Sequence, residues 1–247
     1  MQDLRNFQKT QRNAFQQLIG GDVMPVATAD AALAELQGRQ VKLRPLDTVD
    51  LTQSEIDQLW QALQSEPDAG CWTYLPYAGF DDRATLAEHL KANFHFEGAQ
   101  HYLIEVEQRL VGWIALLNPR AEHRVIEIGN VYFSPQMKQS TAATETLYLL
   151  LKHCFARGDR RVEWKCDELN QPSYRAALRY GFEYEGTFRQ DRIIKGRNRN
   201  TAWFSILDEE WISLQQAYRA WLAVDNFDQQ GQQKVRLNDF VQLYKMA

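Results

Sequence analysis

Hydrophobic and polar positions along the middle of the chain predict three consecutive strands. The segments 101–107, 109–117 and 125–134 are rich in β-branched and aromatic residues, and the third ends at Pro135. The first two segments are separated by a turn that is too short for a crossover connection. We therefore expect them to form an antiparallel hairpin.

The period of the hydrophobic positions changes immediately after the third strand. Apolar residues then recur at three- and four-residue spacing on one predicted helix face: Ala143, Leu147, Leu150, Leu151 and Cys154. Arg157 and Gly158 give this helix its expected end. A strand that enters a helix through a short polar turn directs unpaired backbone N–H groups at one place, with the helix dipole behind them. The strand, turn and helix at 126–157 therefore predict an anion site, usually one for phosphate.

The flanking segments predict further elements on both sides of this unit. The upstream elements are a strand at 41–46, a helix behind a capping box of Thr52 and Glu55, an aromatic Gly/Pro-rich loop at 66–80, and a helix capped by Asp81. The downstream elements are a strand at 160–167, a helix from Asn170 to Gly181, an antiparallel pair at 182–196 and 199–208, a helix capped by Asp208, and a short helix after Asn238.

The order of these elements limits the fold class and suggests a domain division. Only the strand–helix–strand passage at 126–167 can be a parallel βαβ unit, so we expect an α/β (α+β) fold with a mixed sheet. We expect one main domain at 41–222 and a C-terminal extension at 223–247. Residues 1–40 are predicted to be a helical or flexible arm whose helix face carries five apolar residues: Leu4, Phe7, Phe15, Leu18 and Ile19.

Composition and charge narrow the classes of function. A net charge of −4 and a pI of about 5.8 argue against a general nucleic-acid binder. The 3 cysteines share no CxxC spacing and the 5 histidines form no HExxH pattern, so we expect no metal site. The sequence has no 18-residue apolar run and no apolar leader, which predicts a cytoplasmic protein that does not enter membranes.

Several short motifs occur in the same order and spacing as in a known family. They are Glu127-Ile128-Gly129, Pro135, Ala143-Thr144-Glu145, Asn170-x-x-Ser173, Gly181-Phe182, the Glu185 to Arg189 segment, and the stretch 191–211. Over residues 41–212 this order resembles the GNAT superfamily of N-acetyltransferases, and in particular its ribosomal-protein N-terminal (alanine) acetyltransferase branch. The resemblance implies a central, mostly antiparallel sheet with one parallel βαβ unit and flanking helices.

The resemblance also implies an activity. The protein would transfer the acetyl group of acetyl-CoA to a primary amine, by direct attack in a ternary complex and without a metal. The acceptor would be a peptide or protein N-terminal α-amine, or a small-molecule amine, and a homodimer is an expected assembly. A second hypothesis is a non-catalytic acyl-CoA sensor or protein-interaction module on the same fold.

The resemblance places the coenzyme on the strand, turn and helix described above. The strand residues implied are Asn130, Val131, Tyr132 and Phe133, and the turn residues are Met137, Lys138, Gln139, Ser140, Thr141 and Ala142. Asn170 and Ser173 are implied as further contacts, although Asn170 is also a good helix cap without any ligand. The turn departs from the family, because Gln139 and Thr141 stand where glycines are expected.

Acetyl transfer from a thioester needs a base for the amine and a proton donor for the leaving thiolate. Glu127 is the candidate base, because strand alternation places it on the sheet face opposite Ile126 and Ile128. The alternative is a surface carboxylate paired with a neighbour such as Arg124. The position of the family's usual acid, a tyrosine, is occupied by Ala177 here. We therefore assign Tyr180 as the candidate acid.

Three other interpretations of tyrosines and charged residues stay open. Tyr174 and Tyr132 are further acid candidates, and the alternative for Tyr180 and Tyr174 is a role in packing. The loop residues Trp72, Tyr74 and Tyr77 are candidates for the wall of an acceptor pocket, and the alternative is a satellite hydrophobic cluster. The basic run at 189–199 suits an acidic acceptor or the adenosine 3′-phosphate, or is a solvated hairpin face.

Overall fold

The structure is a computed structural model that describes residues 10–23, 34–46 and 51–245. Its strands are β1 (Thr10–Arg12), β2 (Leu18–Gly20), β3 (Leu36–Gln37), β4 (Val41–Pro45), β5 (Gln100–Val106), β6 (Arg109–Arg120), β7 (Val125–Phe133), β8 (Arg161–Asp167), β9 (Glu183–Ile194) and β10 (Arg197–Leu207). Its helices are α1 (Gln53–Gln64), α2 (Arg83–Lys91), α3 (Thr141–Ala156), α4 (Gln171–Arg179), α5 (Asp208–Leu222) and α6 (Leu237–Lys245).

Eight of the strands form one mixed sheet in the order β3-β4-β5-β6-β7-β8-β10-β9. Within the described residues, β7 and β8 are the one parallel pair, and the other neighbours in this sheet run antiparallel. β5 and β6 form the predicted hairpin. The mixed sheet with a single parallel βαβ unit is therefore confirmed.

Helices cover the sheet on both faces and bury two apolar clusters. The main cluster includes the predicted face of α3 together with apolar residues of α5 and α6. The second cluster joins residues of α1 and α2 to the other face of β5, β6 and β7, with Trp113 and Tyr132 among its members. Burial of these side chains holds the helices against the sheet, at about 25 cal/mol per Å² of apolar surface removed from water.

Helix starts follow local capping chemistry, with two shifts of one residue. The Thr52 and Glu55 capping box of α1 is confirmed. Asp82 caps α2, not Asp81 as predicted, because the Asp82 carboxylate is the one that accepts the Thr85 N–H, at 2.8 Å. Asp208 is the first residue of α5, and Leu207 precedes it as the cap residue. Boundaries of this kind are set by the φ/ψ of one residue, which periodicity does not resolve.

The helix predicted in the N-terminal arm is wrong where the structure describes that arm. Residues 10–20 form an antiparallel hairpin of β1 and β2. The Asn13 side-chain oxygen accepts the N–H groups of Phe15 and Gln17, at 2.9 and 3.0 Å, and closes the turn locally. Phe15 is 82% exposed, so the residues expected to line a helix face do not share one here. Leu4 and Phe7 lie outside the described residues.

The C-terminal segment packs on the main cluster. The predicted short helix is confirmed as α6, which begins at Leu237. Leu237 and Val241 are buried in the same cluster as α3 and α5. The Trp221 indole N–H also donates to Gln233 Oε1 at 2.7 Å. The domain boundaries at 40 and 222 stay predictions.

A buried carboxylate ties α3 to the edge of the sheet. Glu145 accepts the backbone N–H groups of Arg39, Gln40 and Val41 at 2.7, 2.8 and 3.0 Å. A Cβ at Gly38 would lie 2.7 Å from the carboxyl carbon of Glu145, so this turn needs a glycine for the close approach. Three charge-assisted hydrogen bonds fix the position of the helix relative to β4.

Candidate active site

The two parallel strands separate at one end of the sheet. β7 and β8 pair from Val125 to Ile128, and the last partner of Ile128 is Trp164. Beyond that point β7 continues for 5 more residues, from Gly129 to Phe133, without a partner in β8. Its backbone N–H and C=O groups therefore face an opening between the strands. Unpaired groups of this kind bind an extended ligand as an added strand would be bound.

The far side of β7 contains a bulge at the same level. β7 pairs with β6 through Gly129 and again through Tyr132, and the register shifts between these pairs. Asn130 lies in the bulge with a φ of +43°, a left-handed conformation that asparagine tolerates better than most residues. The bulge re-aims the backbone where the opening begins.

Buried hydrogen bonds hold the Asn130 side chain from both ends. Its Oδ1 accepts the Tyr77 hydroxyl at 2.8 Å, and its Nδ2 donates to His101 Nε2 at 2.7 Å. His101 Nδ1 in turn donates to Asn93 Oδ1 at 2.5 Å. Burial lowers the pKa of His101 to about 4, which keeps the ring neutral at physiological pH. Sequence reasoning missed His101, although it shares a predicted strand face with the buried Leu103.

Two helix N-termini meet at the open end of the strands. α3 follows β7 and α4 follows β8, and since these strands are parallel both helices begin at the same edge of the sheet. Ser140 caps α3 through the Ala143 N–H at 3.1 Å, and Asn170 caps α4 through the Ser173 N–H at 3.2 Å. The positive ends of two helix dipoles therefore lie at the opening, which suits a polyanionic ligand.

The turn before α3 uses some of its N–H groups internally. Met137 and Lys138 N–H both donate to the Ser134 carbonyl, at 2.8 and 3.1 Å, and the Met137 side chain is buried in the main cluster. Gln139 has a φ of +63°, so the backbone adopts a conformation that favours glycine although no glycine is present. The first-turn N–H groups of Thr141 and Ala142 have no carbonyl to bind within the helix and stay available for a ligand.

Lys138 makes an ion pair outside this turn. Its Nζ lies 2.8 and 2.7 Å from the two carboxylate oxygens of Glu66, which follows the end of α1. The predicted phosphate-binding turn is therefore linked directly to the aromatic loop at 66–80.

Glu127 is buried and has two partners. Its Oε2 accepts from Asn118 Nδ2 at 2.7 Å and from Lys165 Nζ at 2.8 Å. The charged neighbour is therefore Lys165 of β8, where Arg124 was the neighbour suggested by the sequence. Lys165 also lies 3.0 Å from Glu163 and 3.9 Å from the centre of the Trp203 ring. Strand alternation could have indicated Lys165 as a partner for buried carboxylates, because it places Lys165 on the same sheet face as Glu163.

The carboxylates and cations beside Glu127 continue across the sheet. Glu163 pairs with Arg120 at 2.6 Å and with Arg161 at 2.8 Å. Arg161 also binds Glu185 through both guanidinium NH groups, at 2.6 and 2.5 Å. Burial raises the pKa of Glu163, but hydrogen bonds from Arg161, Arg120 and Lys165 outweigh it, so the pKa lies below its ordinary value. Glu127 is thus the β7 end of a charged row that continues through Lys165, Glu163 and Arg161 to Glu185.

The candidate acids lie in packed surroundings. Tyr180 is buried against Trp164 and under the Arg179 guanidinium, which lies 5.3 Å from its ring centre. Burial raises the pKa of Tyr180, so its hydroxyl stays protonated. The Tyr132 hydroxyl donates to the Ala62 carbonyl in α1, at 3.2 Å, within the second cluster.

Two more predicted residues pack close to α4. The Tyr174 ring lies edge-on to Phe204, with their centroids 4.8 Å apart. The Ser173 hydroxyl accepts the Trp164 indole N–H at 3.1 Å. The roles of the tyrosines and of Ser173 in catalysis and coenzyme binding stay predictions.

The aromatic loop at 66–80 reaches three parts of the opening. Trp72 packs into the second cluster, with its ring 5.4 Å from that of Tyr132. The Tyr77 hydroxyl binds the bulge at Asn130, and the Tyr74 hydroxyl donates to the Leu169 carbonyl between β8 and α4, at 3.1 Å. The structure therefore brings these three residues to the β7–β8 opening. The satellite cluster is also present, since Trp72 and Tyr77 pack against it.

The turn between β9 and β10 meets this loop. Lys195 Nζ donates to the Trp72 carbonyl at 2.6 Å, and Arg197 donates to the Thr73 carbonyl at 3.3 Å. A polar cleft of about 750 Å³ lies along the same hairpin, and its walls are Phe188, Arg189, Gln190, Asp191, Asn198 and Asn200. Of the basic run, Lys195 and Arg197 thus contact the loop and Arg189 lines this cleft.

The described residues contain neither a metal-binding cluster nor a membrane-spanning helix. The ranges 10–23, 34–46 and 51–245 hold no group of 3 or more His, Cys, Asp or Glu side chains arranged to bind a metal ion. Among the helices in that part of the chain, none has the length and hydropathy needed to cross a bilayer.

In each comparison with known proteins, the chain is similar to acetyltransferases. The chain matches the model of the Acetyltransferase (GNAT) family over residues 56–182. A crystal structure of a GCN5-related N-acetyltransferase from Brucella melitensis aligns with a TM-score of 0.81 and 39% identity, over 86% of this chain and 96% of that one. The N-acetyltransferase YnaD of Bacillus subtilis (strain 168), itself uncharacterised, is 28% identical over 155 residues, 62% of this chain and 89% of its own length. RimL, a ribosomal L7/L12 α-N-protein acetyltransferase solved with coenzyme A, shares the fold with a TM-score of 0.59 at 20% identity, over 70% of this chain and 98% of that one.

Proposed function

Because the chain belongs to the GNAT family of acetyltransferases, we propose that it transfers the acetyl group of acetyl-CoA to the α-amine of a peptide or protein. The family establishes an acyltransferase, and the acceptor is the proposed part. The observation that carries the proposal is the opening between β7 and β8, with two helix N-termini at its edge and the aromatic loop across it.

The residues around the opening fit acetyl-CoA. The free edge of β7 from Gly129 to Phe133 suits the amide-containing pantetheine arm, because its amides can exchange hydrogen bonds with a strand. The N–H groups at the start of α3, at Thr141 and Ala142, suit the pyrophosphate. RimL, which was solved with coenzyme A, supports the use of this fold for that co-substrate.

Glu127 is assigned the role of base. The attacking amine must lose a proton, and Glu127 Oε2 lies on the strand that borders the opening, held in place by Asn118 and Lys165. The backbone N–H groups at the bulge beside Asn130 provide hydrogen-bond donors where the carbonyl oxygen gains negative charge. Tyr180 stays the predicted acid that protonates the departing thiolate.

A peptide acceptor is favoured over a small amine by the size and polarity of the cleft beside the aromatic loop. The loop and the hairpin touch each other through Lys195 and Arg197, and residues of β9 and β10 in the same hairpin line the polar cleft of about 750 Å³. A polar cleft of this volume has room for more than one residue of a peptide, which favours a peptide acceptor. RimL, which shares the fold, is an α-N-protein acetyltransferase of ribosomal L7/L12, and this supports the same choice.

The test is an acceptor panel with thiol release as the readout. Purified protein and acetyl-CoA are mixed with lysine-containing peptides that have a free α-amine, and with the same peptides acetylated at the N-terminus, in which only the lysine amine is free. Amino sugars and polyamines represent the small amines. We expect thiol release with free α-amines and little with the blocked peptides. Turnover confined to small amines would overturn the acceptor assignment.

The control separates catalysis from background hydrolysis. Mass spectrometry of the peptide must show one added acetyl group on the N-terminal residue. Binding of acetyl-CoA without turnover on any amine would instead favour the sensor hypothesis.

A further inference from the structure

One ion pair joins the predicted coenzyme turn to the predicted acceptor loop. Lys138 lies in the turn between β7 and α3, and Glu66 begins the aromatic loop that follows α1. The Lys138 ammonium lies within 2.8 Å of both Glu66 carboxylate oxygens. The two residues are 72 positions apart, so the contact is a product of the tertiary fold.

The two partners differ in their exposure to water. The Lys138 side chain is 48% exposed, whereas that of Glu66 is 6% exposed. Lys138 can therefore turn to another anion at little cost, because water already solvates it. Glu66 would be left as a buried carboxylate without its cation, which is costly.

The position of Glu66 adds to that cost. Its backbone N–H donates to the Leu63 carbonyl at the C-terminal end of α1, where the helix dipole disfavours negative charge. Glu66 also raises the pKa of two neighbours, after the larger effect of burial itself: the half-buried Cys71 and the buried Tyr132. Loss of the Lys138 contact would thus favour a loop conformation in which Glu66 reaches water.

Space for such a rearrangement exists under the loop. Residues of α1 and of the loop line an open pocket of about 210 Å³, among them Trp60, Leu63, Trp72 and Phe80 together with Glu66. A loop that borders a cavity can repack more easily than one in a close-packed core.

Lys138 also belongs to the turn that leads into α3, whose first residues, Thr141 and Ala142, carry the N–H groups assigned above to the pyrophosphate. We propose that Lys138 and Glu66 form a latch, in which Glu66 competes with the pyrophosphate of coenzyme A for the Lys138 ammonium. When Lys138 moves to the pyrophosphate, the buried Glu66 loses its partner and the aromatic loop is released to admit the acceptor. The inference rests on the proposed function.

Calorimetry with two ligands tests the latch. Coenzyme A carries the pyrophosphate, and pantetheine carries the same arm without it. Glu66→Gln keeps the shape of the side chain and removes its charge, so Lys138 is freed before any ligand arrives. We expect this variant to bind coenzyme A on the order of fivefold tighter than wild type, with unchanged affinity for pantetheine.

Two controls separate the latch from a general charge effect. Glu35→Gln removes a carboxylate from another ion pair, the one with Lys42 at 3.0 Å, and changes the net charge equally. In a Lys138→Met background, Glu66→Gln should no longer alter the affinity for coenzyme A, because the contested ammonium is gone.

A second readout follows the loop itself. Amide hydrogen exchange over residues 66–72 should rise in wild type when coenzyme A binds, and should already be raised in the Glu66→Gln variant before ligand is added. This readout requires no turnover.

The outcomes distinguish the two proposals. Equal coenzyme A affinity in wild type and Glu66→Gln, or an equal gain in the Lys138→Met background, would overturn the latch and leave the acetyltransferase assignment intact. Failure of all these proteins to bind coenzyme A would overturn both.

Discussion

Replacing Glu127 with glutamine should slow acetyl transfer in a way that depends on pH. The amide keeps the size of the side chain and can still accept from Asn118, but it cannot take a proton from the attacking amine. The variant must then rely on acceptor molecules that are already neutral. An α-amine has a pKa of about 7.8, so about one molecule in sixty is neutral at pH 6, about one in seven at pH 7, and nearly all at pH 9.

These fractions set the size of the effect. The ratio of wild-type to variant turnover should be at least about sixtyfold at pH 6 and about sevenfold at pH 7, and should level off above pH 8. A wholly lost base catalyst costs about 10²–10⁴-fold, which bounds the effect from above. The surroundings should survive the change, since Lys165 keeps its contact with Glu163 at 3.0 Å.

The assay is steady-state thiol release from acetyl-CoA between pH 6 and pH 9, with a saturating α-amine peptide. Glu185→Gln is the matched control, because Glu185 belongs to the same charged row and loses the same charge at its far end, beside Arg161 and Ser205. A ratio that does not change with pH would refute the role of Glu127 as base. An equal loss in Glu185→Gln would show that the charged row acts as a structural unit.

Three further predictions concern stability, each measured by urea denaturation. Gln139→Gly should be about 1 kcal/mol more stable than Gln139→Ala, because φ at this position is +63° and glycine adopts a positive φ without strain. Equal stability of the two variants would contradict a left-handed conformation at this turn. Glu145→Gln should lower the free energy of unfolding by about 2–3 kcal/mol, because the amide nitrogen must face one of the three backbone N–H donors. A loss below about 0.5 kcal/mol would contradict the three hydrogen bonds that join α3 to β4. Folding lowers the pKa of His101 from an ordinary 6.5 to about 4, so the unfolded chain binds a proton at this residue more readily than the folded chain does. The neutral, buried His101 therefore contributes its full stability above pH 6.5, and that contribution is lost as the pH falls toward 4. His101→Asn should therefore lose less stability than wild type over that interval, and parallel curves would exclude a buried neutral His101.

The sequence by itself determined the order and type of most elements. Strands, helix faces and several caps depend on residues that are close neighbours in the chain, such as the Thr52 and Glu55 box and the Asn170 cap. Such signals need no tertiary context, because period and capping act over one or two turns. The N-terminal arm shows the limit of this reasoning. Its apolar residues predicted a helix, but the described residues form a hairpin whose turn is closed by the Asn13 side chain.

Only the tertiary structure decided the partners of the candidate site residues. Glu127 meets Lys165 across 38 positions, Asn130 meets Tyr77 across 53, and Lys138 meets Glu66 across 72. Local patterns do not encode such pairs, because each depends on strand register and on where a loop crosses the sheet. The turn that lacks glycine is the clearest case. Its sequence shows Gln139 where a glycine is expected, and only the fold shows that Gln139 takes the left-handed conformation and that the neighbouring lysine is held by the loop across the opening.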